Sequence, residues 1–382
     1  MRLWGWEWRK LFCLPALWVF WGLSLVCNGL LILSFSGPDR DFFNDTSRDA
    51  ALLGQRVGPA FLEQLEGLPS AHNRALLLDS ARGMENIFEE YDTGTLKEFY
   101  QDVVATSPAA SAWMGWKYDL MAGRVDHLAR TGAALDLYAG PLTQKFHAFL
   151  FGTLLRAILA QAALAAMLGA LYLLGYEDLH GTQGFVCACR TGRRLYRTKV
   201  LAALLAAPLL FALIALPSLG LYFALFDYSG IWGASVSSQF NFLTDLMLTR
   251  PFLTWADFTV AEYLAAALAL GAALAAVFAL LAALCGLLVR SPYLAALLLA
   301  LLCLGGLGLT AALGEGKCWV GYLLCCFQPA LVWLCCQGWF TELGLNGAIP
   351  FQETAAVAAD LLLLGLGTRR ALGKFARKDV SL

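Results

Sequence analysis

The chain has 382 residues, of which 59% are hydrophobic and only 14% charged, and its mean hydropathy is +0.63. That balance excludes an ordinary soluble domain of this length and indicates a polytopic membrane protein. The net charge of -1 comes from 27 basic and 28 acidic residues, so the informative quantity is where the charges sit.

Six runs are long and apolar enough to cross roughly 30 Å of hydrocarbon: 11–35, 146–175, 200–226, 261–289, 293–313 and the shorter 349–367. Backbone groups in lipid must be satisfied within the segment, so each run is read as a helix. The first opens with MRLWGWEWRK and lacks a small-residue cleavage site before the acidic sequence that follows Ser36. It is expected to stay as an uncleaved anchor, residues 1–36, with Trp4, Trp6 and Trp8 forming an interfacial belt.

Residues 37–145 are the one soluble-like stretch, long enough for a small domain. Apolar residues recur there at helical spacing, as in Leu52, Leu53, Val57, Phe61, Leu62 and Leu65, or Trp113, Trp116, Leu120 and Val125. Breakers at 67–70, 92–94 and Ser107-Pro108 separate the runs, and the serine is placed to cap the helix after it. A bundle of about four short helices is expected, with little strand. It holds no cysteine, so no disulfide framework supports it.

Positive charge fixes the expected orientation. Arg2, Arg9 and Lys10 precede the first span, while Arg190, Arg193, Arg194, Arg197 and Lys199 lie between the second and third. Arg290 lies between the fourth and fifth, and Arg369, Arg370, Lys374, Arg377 and Lys378 follow the sixth. All fall on one face, which the positive-inside rule assigns to the cytoplasm together with both termini. The opposite face carries 37–145, with ten Lys/Arg against sixteen Asp/Glu, and 227–260, with three acids against Arg250.

One segment offers an alternative topology. Residues 318–340 are apolar and about long enough to span, and a seventh crossing would move the basic tail, 369–382, to the outer face. Gln328-Pro329 interrupts the segment at its centre, because proline removes a helix donor and crowds the preceding turn. A re-entrant hairpin over 318–345, packed against protein, is the preferred reading. The five-span core then covers 146–382.

No motif for chemistry stands complete. Gly314-Glu315-Gly316-Lys317-Cys318 approaches a phosphate loop, but Ala311 replaces its first glycine and cysteine its Ser/Thr, so the chain is not expected to act as an enzyme. Four dispersed histidines and three close cysteine pairs give no zinc-type spacing. Arg156 and Asp360 are charged residues inside apolar runs, and such residues are costly enough to be candidates for a polar role. No second acid stands against Asp360 as a catalytic pair would require.

The order of these parts resembles the type-2 ABC exporter permease family. WEWRKLF at 6–12 is similar to the amphipathic helix that opens those permeases. Glu177, Gly181, the turn at Thr191, Gly192 and Arg193, and Lys199 resemble the loop that docks on the ATPase in that family. The apolar pair broken at Gln328 and Pro329 resembles the re-entrant helices, and KFARKDV the basic tail; CACR at 187–190 departs from the pattern. The resemblance implies six transmembrane helices in an all-α polytopic membrane protein, with the hairpin and an extracytoplasmic helical domain between spans one and two. It also implies an exporter of a drug, peptide or lipid-like substrate in the cell membrane, working with a second permease subunit as a homo- or heterodimer. ATP-Mg would be bound by a separate cytoplasmic ABC ATPase subunit, with no cofactor in this chain and no nucleic-acid partner. A membrane-anchored sensor or assembly protein, binding a ligand or partner through 37–145, is the alternative.

Overall fold

The computed structural model describes residues 3–69, 71–105, 107–189, 192–242, 250–289, 291–315, 319–344 and 349–377. Among these the chain is helical, with no strand and three isolated bridges. An N-terminal helix α1 (Leu3–Phe12) is followed by α2 (Pro15–Phe35). The region after it folds as α3 (Asp39–Leu53), α4 (Pro59–Gly67), α5 (His72–Arg82), α6 (Ile87–Glu90), α7 (Thr93–Phe99) and α8 (Pro108–Thr131). The bundle continues with α9 (Thr143–His147), α10 (Leu155–Leu179), α11 (Gln183–Ala188), α12 (Leu195–Leu225), α13 (Val260–Leu288) and α14 (Pro292–Glu315). Two short helices, α15 (Trp319–Cys325) and α16 (Pro329–Leu334), precede the last, α17 (Gln352–Arg377).

Among the described residues, five helical stretches are long and apolar enough to cross a membrane: Pro15–Phe35, Gly140–Leu179, Leu195–Leu225, Val260–Leu288 and Pro292–Gly314. This is the architecture of an all-α polytopic membrane protein. The stretches containing α10, α12 and α13 bury 61%, 50% and 67% of their most apolar windows, against 17% for α2 and for α14. The first three therefore form the centre and the other two its periphery. Gly271 lets α13 approach closely, since a Cβ there would come within 2.9 Å of Leu159 and 3.0 Å of Phe211. Side-chain amides bind α2 to that centre: Asn28 and Gln161 exchange hydrogen bonds of 2.9 Å, and Asn28 donates to Ser218 at 2.9 Å.

The helices of 37–145 do not form a separate lobe. One buried apolar core runs from Phe61, Leu65 and Met121 through Phe43, Phe146 and Phe226 to Phe211 and Leu274 of the bundle. Aromatic rings carry it across the junction, with Phe43 stacked on Phe146 at 4.1 Å and Phe35 on Phe149 at 3.8 Å. Ser107 caps α8 by accepting the Ala110 amide at 3.2 Å, and Gly132, at φ 61, closes it in the left-handed conformation.

The last helix, α17, runs beside α13 and starts at the same end. Glu353 in its first turn accepts the Phe340 amide at 2.8 Å, while Tyr263, in the first turn of α13, donates to the Trp339 carbonyl at 2.8 Å. Near the opposite end a Cβ on Gly367 would meet Leu284 at 3.5 Å, and Phe375 lies 4.4 Å from the Tyr196 ring. Glu353 and Asp360 dilute its apolar character, so it is not among the five stretches marked by length and composition.

The segment before it begins and ends at one end of the bundle. Tyr322 packs on Gly314; Gln328 reaches Gly306, where it donates to Thr310 at 2.9 Å. Eight residues of helix separate those two glycines, a rise of about 12 Å. The chain then returns along α16, so that Gln337 reaches Gly152 and Trp339 reaches Tyr263.

Candidate functional site

The loop between α10 and α12 lies at the end of the bundle opposite 37–145. Its N-terminal side is set by a helix stop: the Gly181 amide bonds to the Asp178 carbonyl at 3.0 Å and the Thr182 amide to Glu177 at 2.8 Å. That paired closure needs a left-handed residue, and Gly181 supplies it at φ 65. Gly192, at φ 37, makes the second turn and opens a short 3-10 helix into α12. Thr191 and the Arg193 side chain lie outside the described residues.

Glu177 and Lys199 do not point to solvent. Both are buried, and they are paired with each other in a four-charge cluster with Glu7 and Lys10 of α1. Lys10 lies 2.7 Å from Glu7 and 3.0 Å from Glu177, and Lys199 lies 3.7 Å from Glu7. Lys199 also donates to the Leu173 carbonyl, and the rings of Tyr176 and Tyr196 flank its ammonium. Burial works to lower the Lys10 pKa, but the two carboxylates beside it outweigh that and hold it above the ordinary lysine value. The cluster welds α1, α10 and α12 at the base of the loop.

Glu7 and Lys10 are functional neighbours that position-by-position reading passes over, since it treats Lys10 as one more basic residue and Glu7 as part of an aromatic belt. The legible signal is their i, i+3 spacing within a segment otherwise rich in tryptophan. The loop exposes charged side chains, Asp178, Arg194 and Arg197 among them, and beside them two large apolar ones, Phe185 of α11 at 80% and Leu179 at 52%.

The other candidates lie elsewhere. Arg156 is half-buried beside α16, where Trp333 donates to its backbone carbonyl at 2.9 Å and its own Nε finds no acceptor. Asp360 sits on the buried face of α17 with Glu353, Val357, Leu364 and Thr368, and its Oδ2 has no hydrogen-bond partner. Gln328 and Pro329 mark the break between α15 and α16. None of these joins the cluster at Lys199.

Compared with known proteins, the chain matches no family model, no curated protein and no solved structure.

Proposed function

We propose that this chain is the membrane subunit of an exporter of the type-2 ABC class, pairing with a second permease subunit and driven by ATP-Mg bound in a separate cytoplasmic ATPase. In this reading α17 is the sixth crossing, both termini face the cytoplasm of a cell membrane, and 319–344 is a re-entrant hairpin. The observation that carries it is the loop at 176–199. It offers exposed Phe185 and Leu179 to a partner, while its base is locked into three helices by the buried Glu7, Lys10, Glu177 and Lys199 cluster. A push on α11 then reaches α10 and α12 together, which a tethered tail could not transmit.

The test is hydrolysis. The full chain, purified in mild detergent from its native membrane, is expected to carry vanadate-sensitive ATPase activity, and Phe185→Asp to lose most of it without loss of folded protein. Phe185 is the suitable position because it is exposed, whereas charge reversal at buried Glu177 would disturb the fold. Wild-type material free of such activity would overturn the exporter reading and favour the sensor alternative.

A further inference from the structure

Asp360 lies two turns beyond Glu353 in α17, inside the apolar stretch of that helix, and both belong to its buried face. Their surroundings differ. Glu353 accepts the Phe340 amide at 2.8 Å, at the end where the chain turns into the helix. Asp360 has no hydrogen bond or ion pair among the described residues, and its Oδ2 is closed off without a partner.

What packs around it is apolar. Leu361 and Leu364, its neighbours on the helix, meet a cluster that includes Leu280 and Ala283 of α13, and a Cβ on Gly367 would meet Leu284 at 3.5 Å. Between Tyr263 and Cys285, α13 carries no charged or titratable side chain, and α16, which also lies against α17, carries none at all. Along its own helix the nearest such groups are Glu353 and Arg369, about 10 and 14 Å away along the axis. Arg156, the other charge within an apolar run, sits beside Trp333 and has an unmatched Nε of its own, so no charge compensates Asp360.

A carboxylate stripped of water in such surroundings costs far more than the neutral acid, and ionisable groups kept at membrane depth despite that cost mark sites of function. An acid retained for packing alone would have a partner, as Glu353 does. The one ligand that cancels the charge of Asp360 and needs no cavity is a proton.

We propose that Asp360 is a proton-binding site within the membrane part of the chain. The neutral acid packs against α13 and α16; when its proton leaves, the charge left on the carboxylate weakens the seat of α17 on those apolar faces. The contact of the last helix with α13 thereby answers to protonation, a control that acts apart from any ATPase. The site rests on the reading of α17 as a crossing, and reporter fusions test that reading separately.

The experiment is labelling of the full chain in lipid nanodiscs with dicyclohexylcarbodiimide, followed by peptide mass spectrometry. This apolar reagent takes up the proton of a carboxylic acid and traps the carboxylate as an N-acylurea. The wild type is expected to carry the adduct on Asp360 at about pH 6, with a yield that falls about tenfold by about pH 9, the window in which buried carboxyls ionise. Asp360→Asn, which keeps the shape of the neutral acid, should carry no adduct there. The folded chain favours the protonated form, so the stability it contributes is present at low pH and lost as pH rises. The wild-type unfolding midpoint should therefore match that of Asp360→Asn at the acid end of the window and drop below it toward the basic end. No adduct on Asp360, a yield that does not change with pH, or midpoints that shift equally in both proteins would overturn the site. Fusions that place α17 across the membrane while Asp360 stays unlabelled would remove the proton site alone, and a labelled Asp360 on a helix that does not cross would remove the crossing alone.

Discussion

Neither Lys199 nor Glu177 can reach bulk water, and this governs what substitution there does. Moving a lone charge out of water costs more than an imperfect pair returns, so each depends on the other and on Glu7 and Lys10. Glu177→Gln should lower stability by about 3–5 kcal/mol, the range for breaking one side of a buried pair. Thermal unfolding in detergent measures it, and a change below about 1 kcal/mol, the scale of an exposed pair, would show the cluster to be solvated. Sequence position alone identified these residues as belonging to the basic loop but not as buried, because burial depends on α1 folding back across α10 and α12. Gly181 was easier to read, since a glycine after a helix has few roles and here takes one of them, the left-handed stop.

Among elements, α8 ties 37–145 to the turn after α16 through a buried ion pair. Its Lys117 pairs with Glu342 in the turn after α16, both buried, with Arg250 3.8 Å from the same carboxylate. Burial drives the Lys117 pKa down and the Glu342 pKa up, and the attraction between them recovers only part of that. The pair thus fixes register at a cost in stability. Glu342→Gln alone should destabilise by about 3–5 kcal/mol, whereas the double change Lys117→Met with Glu342→Leu should be neutral or stabilising. Comparing the unfolding midpoints of the three proteins decides it, and a double variant as damaged as the single one would contradict the argument. Local signals for these elements were legible: Ser107 caps α8, and Glu262 completes a capping box with Thr259 at the start of α13. Among the described residues six α-helices, α3 to α8, lie between Asp39 and Thr131 where about four are expected, because short pieces such as α6 and α7 are defined by turn chemistry at Asn86 and Asp92 more than by apolar periodicity. The pairing of Lys117 with Glu342 joins residues 225 apart, and no local pattern encodes that.

At the scale of the molecule, helical class and apolar spans follow from composition, and five of the six expected runs are long and apolar enough to cross. The sixth depends on packing. α17 has 26 residues, about 39 Å of helix, and lies along α13 from Tyr263 at one end to the Tyr196 and Phe375 contact at the other. Its buried face holds Glu353, Asp360 and Thr368, so hydropathy understates a helix whose polar groups are turned inward. If α17 crosses, the tail bearing Arg369, Arg370 and Lys374 joins α1 on one side of the membrane, and the turn before α17 lies on the other. Fusions of alkaline phosphatase and of a fluorescent protein, placed after Leu345 and after Leu382, separate the cases. Phosphatase should be active only at 345 and fluorescence should appear only at 382. The same reporter active at both positions would leave α17 on one surface, and it would then have to cover the side of α13 without lipid around it. Its exposed Leu362, Leu363 and Leu366 oppose that arrangement, because in water they would form an apolar patch, whereas in a bilayer they face acyl chains at no cost.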